Sequence, residues 1–348
     1  MSQDPATQQR VRDAVGRATG VDARSLPVKR LAGHASMRSY WRVGTPPASW
    51  VVMVMPAGAG PEEVTSGGRP QVDPFVDVQH YLASIGVRVP AILAFEEAEG
   101  LMVLEDLGDD MLETRLLAGD DRAGLYERAI DQLARLRAGA EARPSGCVAF
   151  TRAFEAGLYR WELDHFREWL LEAWKGATLS PGERAELDGW FDGIAASLAA
   201  EPRGFTHRDY QSRNLMVLPG GAQAVIDFQD ALLGPRQYDL VALLRDSYVE
   251  LPPEFVEAML RRYLARFEAE GGPRIDYGPF RQAFDLLTVQ RKLKDAGRFV
   301  FIERVRGNPG FLVSIPASLA YVREAFARRP DLAPLQQLLA RHVGELAA

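Results

Sequence analysis

The apolar residues of this 348-residue chain change their spacing near residue 106, and this change limits the folds that the chain can adopt. Before that point, short apolar runs have the length and alternation of strands. These runs lie at 25–31, 38–43, 50–55 and 91–108. After it, most of the chain repeats apolar residues with a helical period. A β-rich part followed by a helical part predicts an α+β fold of two lobes, residues 1–106 and 107–348.

Two helices and a long loop complete the predicted N-terminal lobe. Residues 5–18 and 73–87 have apolar side chains at helical spacing. At the start of the second segment, Asp73 is a favourable N-cap and Pro74 suits the first helical position. The Gly- and Pro-rich segment 56–70 predicts a loop. The lobe is therefore expected to be a small sheet with one or two helices.

The C-terminal lobe has one predicted β interruption. In NLMVLPGGAQAVIDF, residues 214–228, two short apolar runs flank a Pro-Gly-Gly turn, which is typical of a β-hairpin. The predicted helices lie at 110–139, 152–175, 181–200, 253–270, 276–298 and 315–346. The hairpin is thus expected to be embedded among helices.

The composition excludes several kinds of protein. The net charge of −6 argues against a nucleic-acid-binding surface, because such surfaces are usually basic. The single cysteine, Cys147, rules out an internal disulfide and is typical of a reducing compartment. The N-terminus is polar, unlike a signal peptide, and no apolar run approaches the ~18 residues of a membrane span. We expect a cytoplasmic protein without nucleic-acid or membrane partners, and no obligate protein partner is evident.

Hydrogen-bonding side chains crowd into THRDYQSRNLMV, residues 206–217, around the start of the first hairpin strand. Asp209 and Asn214 lie in the loop before that strand, and Asp227 follows the second strand. A tight hairpin brings its two outer ends together, so these oxygen-bearing side chains should meet at one end of the ladder. Carboxylate and carboxamide oxygens suit Mg²⁺, which also binds phosphate oxygens. The sequence therefore predicts a magnesium site beside the hairpin.

Phosphoryl transfer requires the same set of groups. One carboxylate orients or deprotonates the acceptor hydroxyl, while an Asn and an Asp hold the metal ions that bridge the phosphates. HRDYQSRN, residues 207–214, has the spacing of the protein-kinase catalytic loop. IDFQD, residues 226–230, corresponds to the kinase Asp-Phe-Gly motif with Gln229 in place of glycine. The two motifs together predict phosphotransferase chemistry.

Three neighbours of these motifs have other predicted roles. His207 is expected to be structural, holding backbone near the metal-binding Asp rather than acting as an acid or base. Arg208 is either an exposed loop residue or a phosphate contact. Asp239 lies at the start of a helix within 234–248, where it caps the helix or braces the catalytic loop, and these two roles are compatible.

The motifs resemble those of the aminoglycoside phosphotransferase/choline kinase superfamily. HRDYQSRNLMV and IDFQDALLGPRQYDLVALLRDSY are most similar to bacterial anomeric kinases of N-acetylmuramate and N-acetylglucosamine, which act in cell-wall recycling. GHASMRSYWRV, LEDLGD, QRKLKDAGRF and IPASLAYV fit the same group, so the resemblance covers nearly the whole chain. It implies a two-lobed protein-kinase-like fold and a sugar kinase that uses ATP and Mg²⁺.

The resemblance also implies roles for individual residues. Asp209 would be the catalytic base, and Asn214 and Asp227 would bind Mg²⁺. Asp230 would add an indirect contact or a contact to a second metal ion. The hinge between the lobes would contact adenine through backbone groups of Glu105, Asp106 and Leu107 in LEDLG.

The sequence departs from the protein-kinase pattern in the N-terminal lobe. The third strand has no lysine to contact the phosphates, and AGHAS, residues 32–36, contains a single glycine. Alternation along the second strand places Arg38, Tyr40 and Arg42 on one face. Either this face lines the cleft, where an arginine at the nucleotide phosphates replaces the lysine, or it is a solvated outer face. Asp77 is a candidate for the acidic partner of that cation.

The expected acceptor site is basic. The helical segment LTVQRKLKDAGRF contains Arg291 and Lys294, and Arg213 lies in the catalytic loop. These three residues are the acceptor-binding candidates, because a basic lining suits an anionic sugar such as N-acetylmuramate. Two alternatives stay open. One is a kinase of an aminoglycoside or an amino alcohol, which needs an acidic acceptor pocket, and the other is a non-catalytic nucleotide-binding module.

Overall fold

The computed structural model describes residues 4–31, 38–55 and 72–347. The predicted loops at 32–36 and 56–70 lie outside the described residues. Within the described part, the strands that come first in the chain form one sheet, and most of the helices follow it.

The described residues of the first part contain an antiparallel sheet of five strands, where the sequence predicts a small sheet. The strands are β1 (Val28–Arg30), β2 (Ser39–Thr45), β3 (Ala48–Val54), β4 (Ile92–Glu96) and β5 (Leu101–Glu105). Their order across the sheet is β1-β2-β3-β5-β4, so β3 is central. One face of the sheet packs against α1 (Pro5–Thr19), where Trp41, Val43 and Val52 are buried.

The helix α2 (Pro74–Ser84) belongs to the large hydrophobic core that continues into the helical part. Asp73 caps this helix by accepting a hydrogen bond from the Phe75 N–H at 2.8 Å, and Pro74 is its first residue, as predicted. The ring of Phe75 packs on Phe228, with the ring centres 4.7 Å apart. This contact ties α2 to the chain that follows the hairpin.

The second part of the chain is mainly helical, in agreement with the prediction. Its helices are α3 (Leu112–Leu117), α4 (Arg122–Ala142), α5 (Ala156–His165), α6 (Pro181–Ala199), α7 (Tyr238–Leu244), α8 (Pro253–Ala269), α9 (Tyr277–Arg306), α10 (Ile315–Arg328) and α11 (Ala333–Ala340). The chain continues from α5 as a π-helix over Phe166–Trp174. The predicted helices 110–139 and 315–346 are each divided in two by a short turn. None of the described helices is both long and apolar enough to cross a membrane.

Short strands in the described residues interrupt this helical part. They are β6 (Arg203–Thr206), β7 (Leu215–Val217), β8 (Gln223–Val225) and β9 (Leu232–Pro235). β7 and β8 form the predicted hairpin, and Gly220 in its turn has a φ of 82°, which glycine adopts readily. β6 pairs with β9, so the prediction of a single β interruption was wrong. Gly234 interrupts the apolar alternation of β9, so the sequence pattern did not predict this pair. Glycine suits the position, because a Cβ there would lie only 2.9 Å from the Thr206 side chain.

The segment between β5 and α3 connects the two parts. Buried residues on both sides of it, such as Met53, Leu104 and Leu133, belong to one continuous core. The predicted lobe boundary after residue 106 falls in this connecting segment, and the boundary stays a prediction.

Candidate active site

The hairpin brings the predicted metal ligands to the catalytic loop. The Ile226 N–H donates to the Asn214 carbonyl at 3.0 Å, so Asp227 leaves the ladder directly beside Asn214. The Nδ2 of Asn214 donates to the Asp209 carbonyl at 2.8 Å, which joins the loop to the hairpin. This is the geometric basis for the predicted convergence of Asp209, Asn214 and Asp227.

Two residues of the site have a left-handed backbone without being glycine. Arg208 has a φ of 82° and Asp227 a φ of 63°. Such conformations are uncommon for residues with a Cβ and persist where surrounding contacts hold them. At Arg208 the N–H donates to Asp239 at 2.9 Å, and the carbonyl accepts from Arg291 at 2.8 Å. Buried charged side chains therefore fix the backbone directly before Asp209.

Asp239, in the first turn of α7, braces the catalytic loop. Its buried carboxylate accepts hydrogen bonds from the backbone N–H groups of His207, at 2.8 Å, and of Arg208, at 2.9 Å. The N-terminus of α7 has no side-chain cap hydrogen bond. Of the two compatible roles expected for Asp239, the loop brace is the one with hydrogen bonds in this structure.

His207 is buried and holds the loop against the end of β8. Its Nε2 donates to the Ile226 carbonyl at 3.0 Å, and its Nδ1 accepts from the Asp209 N–H at 3.2 Å. These partners require a neutral ring protonated on Nε2. Burial lowers the pKa of His207 below its ordinary value of 6.5, which favours that neutral form. The contacts agree with the structural role expected for this residue.

The buried neutral His207 makes the stability of the protein depend on pH. Below the ordinary pKa of 6.5, the unfolded chain binds a proton at this residue that the folded protein does not yet bind. The free energy of unfolding should therefore fall as the pH decreases from 6.5 towards the lowered folded-state pKa. His207→Gln should reduce this slope by up to about 1.4 kcal/mol per pH unit. Chemical denaturation of both proteins across this range measures the slopes, and parallel slopes would contradict the prediction.

Asp209 faces solvent and is surrounded by cations. Its side chain is 41% exposed, and its Oδ1 accepts a hydrogen bond from Arg291 at 3.0 Å. The closely packed protein around the carboxylate would by itself raise the pKa of Asp209, but nearby cations, chiefly Arg291 and Lys294, lower it. Asp209 therefore stays ionised, which is the state needed to orient or deprotonate an acceptor hydroxyl.

Asn214 and Asp227 fit a magnesium site. Because the Nδ2 of Asn214 is directed at the Asp209 carbonyl, its Oδ1 is left for a cation. Burial raises the pKa of Asp227, and the negative charges of Asp209 and Asp230 raise it further, so a cation here would relieve the repulsion. Within the described ranges, no three His, Cys, Asp or Glu side chains converge as a ready-made metal cluster. Mg²⁺ often takes only one or two protein carboxylates, together with phosphate oxygens and water.

Gln229 occupies the position where the kinase motif has glycine, and it contacts both neighbouring carboxylates. Its Nε2 donates to Asp227 Oδ1 at 3.0 Å and to Asp230 Oδ2 at 3.1 Å. Asp230 thus reaches Asp227 through Gln229, which agrees with an indirect contribution. A contact of Asp230 with a second metal ion stays a prediction.

The face of β2 that carries Tyr40 is directed at the site. Trp41 is buried on the opposite face, against α1. Burial, together with the charge of Asp227, raises the pKa of Tyr40 to about 12. Arg38, directly before β2, lies close enough to Asp227 to lower the pKa of that carboxyl. Of the two interpretations of this face, the one in which it lines the cleft agrees with these positions.

Arg42 lies on the same face, but its guanidinium is already bound. Its Nε lies 2.6 Å from Asp106 Oδ2, and its Nη1 lies 2.7 Å from Asp109 Oδ2. Ser49 adds a hydrogen bond to Asp106 at 2.6 Å. A buried guanidinium held by two carboxylates braces the hinge, so nucleotide binding by Arg42 stays a prediction that these contacts do not favour. Nucleotide binding by Arg38 stays a prediction.

Asp77 is likewise occupied elsewhere. Its Oδ2 accepts a hydrogen bond from the Val148 N–H at 2.7 Å. This contact ties α2 to the loop after α4. The structure therefore does not support Asp77 as the acidic partner of a phosphate-binding cation.

Variants of the two arginines should behave differently. Arg38→Ala should raise the KM for ATP or lower kcat by roughly tenfold, equivalent to about 1.4 kcal/mol, with an unchanged melting temperature. Arg38→Lys should recover only part of this loss, because lysine cannot bind phosphate oxygens in a two-pronged way. Arg42→Ala should destabilise the protein by roughly 3–5 kcal/mol, because it leaves the buried Asp106 carboxylate unpaired. Steady-state kinetics and thermal melting of the three variants test both roles.

Kinetics of Arg38→Ala like those of the wild type would place the phosphate-binding cation elsewhere. Lys29 would then be the next candidate, because it pairs in register with Arg42 and so shares this face of the sheet. A stable Arg42→Ala protein with a raised KM for ATP would instead indicate that Arg42 binds the nucleotide.

The segment after β5 contains the predicted adenine-binding positions. The Glu105 N–H donates to the Ala91 carbonyl at 2.9 Å, and the Glu105 side chain pairs with Arg88. The Asp106 side chain is buried against β2, and Leu107 is half-buried. Adenine binding through the backbone of these three hinge residues stays a prediction, and the N–H of Glu105 is already used within the sheet.

Arg213 is also engaged by protein groups. Its Nη2 lies 2.8 Å from Glu113 Oε1 of α3, and its guanidinium lies 3.5 Å from the centre of the Tyr248 ring. With a carboxylate at its edge and a ring on its face, Arg213 braces the catalytic loop against α3. Its predicted role in acceptor binding stays a prediction that these contacts do not favour.

Sequence reasoning missed Asp246, which supports the loop that contains Asn214. This buried carboxylate accepts hydrogen bonds from the Ser212 N–H at 2.9 Å and from the Ser212 Oγ at 2.5 Å. Ser212 begins the turn that contains Asn214. No regular spacing pointed to it, because α7 ends at Leu244 and Asp246 lies beyond the end of that helix.

An ionised carboxylate beside oxygen groups that suit a metal ion, on a rigid support, is an arrangement that phosphoryl transfer can use. A sheet-forming first part joined by a hinge to a helical part that contains this loop is the organisation of a kinase-like phosphotransferase. The chain belongs to the phosphotransferase enzyme family, whose sequence profile matches residues 27–276.

Similar proteins support this family membership. The chain is 37% identical over 309 residues to a Pseudomonas aeruginosa protein named N-acetylmuramate/N-acetylglucosamine kinase, with 88% of this chain and 86% of that protein covered. A Pseudomonas putida protein of the same name is 34% identical over 310 residues, with 88% and 85% covered. The solved structure of choline kinase from Cryptosporidium parvum has a TM-score of 0.62 at 12% identity, with 98% of this chain and 100% of that chain covered. This likeness confirms the predicted two-lobed, protein-kinase-like α+β fold.

Proposed function

We propose that the protein is an ATP- and Mg²⁺-dependent kinase that phosphorylates the anomeric hydroxyl of N-acetylmuramate, N-acetylglucosamine or both, in the recycling of peptidoglycan. The observation that carries this proposal is the identity of 34% and 37% with two proteins named for these sugars. The ionised Asp209 beside Asn214 and Asp227 supports it, because a protein that only binds nucleotide does not need an acceptor-side base.

In this proposal the chain supplies a base, a metal site and positive charge. Asp209 orients the acceptor hydroxyl and accepts its proton on the carboxylate oxygen that Arg291 does not contact. Asn214 Oδ1 and the Asp227 carboxylate would hold Mg²⁺, which would supply positive charge to neutralise the charge that develops on the phosphates of ATP. Arg38, beside Asp227, contacts the phosphates from the sheet.

The charge around Asp209 favours a sugar over a cationic acceptor. Aminoglycosides and amino alcohols carry ammonium groups, which bind at acidic surfaces. Asp209 instead has Arg291 at 3.0 Å, and Lys294 adds positive charge nearby. A second ammonium group there would be repelled.

The product of the reaction tests the proposal. N-acetylmuramate or N-acetylglucosamine, incubated with ATP, Mg²⁺ and the protein, should give a ³¹P NMR signal coupled to the anomeric proton. The methyl glycoside of the same sugar is the matched control, because it lacks a free anomeric hydroxyl and should give no product. Phosphorylation of the methyl glycoside would refute the anomeric position. Turnover only with an aminoglycoside or an amino alcohol would refute the sugar.

A further inference from the structure

Three cations of α9 lie along one side of the helix, next to the catalytic base. Arg291, Lys294 and Arg298 are separated by three and four residues, so they fall on one helical face. The contact between Arg291 and Asp209 at 3.0 Å places this face at the acceptor end of the site. Lys294 follows Arg291 by a rise of roughly 4.5 Å along the helix axis.

The two cations that directly precede this position on α9 are already committed to the protein. Arg291 has a side chain only 4% exposed, and it donates to the Arg208 carbonyl and to Asp209. Lys292 is 3% exposed, and its Nζ lies 2.6 Å from Ser247 Oγ and 2.7 Å from Asp295 Oδ2. Neither side chain can turn towards an acceptor without breaking buried contacts.

Lys294 is more exposed than Arg291 and Lys292. Its side chain is 17% exposed, and its Nζ lies 3.2 Å from the carboxylate of the neighbouring Asp295. An ammonium group has three donors, so one such contact leaves donors for a ligand. Burial by itself would lower the pKa of Lys294, but Asp295 and other anionic neighbours outweigh it and raise the pKa, so the group stays protonated.

The acidic residue on the facing helix does not cancel this charge at the surface. Glu162 of α5 is fully buried and accepts a hydrogen bond from Gln290 at 2.7 Å. It also lies 3.5 Å from the Arg208 guanidinium. Glu162 is therefore held inside the protein, and Lys294 keeps a partly accessible positive charge close to Asp209.

We propose that Lys294 binds the carboxylate of an anionic acceptor and is the residue by which this kinase distinguishes N-acetylmuramate from N-acetylglucosamine. The inference rests on the proposed function. The two sugars share the anomeric hydroxyl and the acetamido group, and only N-acetylmuramate has a lactyl ether that ends in a carboxylate. Lys294 thus contributes to the binding of N-acetylmuramate and does not contribute to the binding of N-acetylglucosamine.

The test compares both sugars in four proteins. Lys294→Gln should lower kcat/KM for N-acetylmuramate roughly tenfold more than for N-acetylglucosamine, mainly through KM, because a charge-assisted contact is lost. Lys294→Arg should keep most of the preference. The matched control is Arg304→Gln, a change at an exposed cation of the same helix that contacts Trp174 and Glu303, and it should alter neither sugar. Loss of the charge near Asp209 affects both acceptors alike and cancels in the ratio.

A second measurement uses the wild-type protein and does not depend on the folding of a variant. The methyl ester of N-acetylmuramate has no negative charge, so its KM should rise by about the same factor as the KM of the acid in Lys294→Gln. Equal changes for both sugars in Lys294→Gln, or equal KM values for the acid and its ester, would overturn the inference. Failure of the wild-type protein to phosphorylate either sugar would instead overturn the proposed function.

Discussion

Turnover is expected to fall by at least about a hundredfold in Asp209→Asn, with little change in nucleotide affinity. The amide has the shape of the carboxylate and can still accept a hydrogen bond from Arg291, but it cannot accept a proton from the acceptor. The Asp209 carbonyl, which receives the Asn214 hydrogen bond, is unaffected by the change. The metal-binding loop should therefore keep its geometry. Single-turnover kinetics and nucleotide titration separate the two effects.

The control for this variant is the same chemical change at a surface position. Asp110 has a side chain 56% exposed that pairs with Arg115 at 3.0 Å, and no role in catalysis or binding is proposed for it. Asp110→Asn should keep the wild-type rate. If Asp209→Asn retained more than about a third of that rate, general-base catalysis by Asp209 would be refuted.

The arrangement of the metal ligands was predictable because it is local. Asn214 and Asp227 lie at the two ends of one short hairpin, and Asp209 lies five residues before Asn214 in the preceding loop. A hairpin with a Gly-rich turn fixes its own register, so the two ends must meet. No contact from another part of the fold is needed to bring these oxygens together.

The backbone conformation that orients them was not predictable. Arg208 and Asp227 are not residue types that favour a positive φ as glycine does, although their φ angles are 82° and 63°. At Arg208 the conformation is imposed from outside the motif, by Asp239 of α7 and Arg291 of α9. A local pattern contains no information about partners that lie 31 and 83 residues away.

The same reason explains why the protein contacts of two candidate arginines were not predicted. Arg42 pairs with Asp106, 64 residues later, and Arg213 pairs with Glu113, 100 residues earlier. Only four of the 41 basic residues are lysine, so the sequence has guanidinium groups almost everywhere and composition does not choose among them. Packing decides which cation stays accessible. The sequence named Arg213, Arg291 and Lys294 together as acceptor-binding candidates, and only their contacts in the structure distinguish Lys294 from the other two.

Asp227→Asn is expected to remove the dependence of nucleotide binding on Mg²⁺ and to lower turnover by roughly a hundredfold or more, because the phosphates lose a counter-ion held by the protein. Asparagine is a better choice than alanine here. It tolerates the φ of 63°, which alanine adopts only with strain, and its Oδ1 can still accept the Gln229 hydrogen bond. The variant therefore removes charge while keeping the fold of the loop.

Although Asp227→Asn should lose turnover, it should not lose stability in the absence of Mg²⁺. Burial and the charges of Asp209 and Asp230 raise the pKa of Asp227, so its ionised form disfavours the folded, metal-free protein. This unfavourable contribution grows as the pH rises from the ordinary pKa of 3.8 to the raised folded-state pKa and is fully present above it, and the amide does not have it. At neutral pH and without Mg²⁺, Asp227→Asn should melt at or above the wild-type temperature, while Mg²⁺ with nucleotide should stabilise only the wild type. Asp230→Asn, which changes the other carboxylate on Gln229, should keep most of that stabilisation. An unchanged response of Asp227→Asn to Mg²⁺ would exclude Asp227 as the metal ligand.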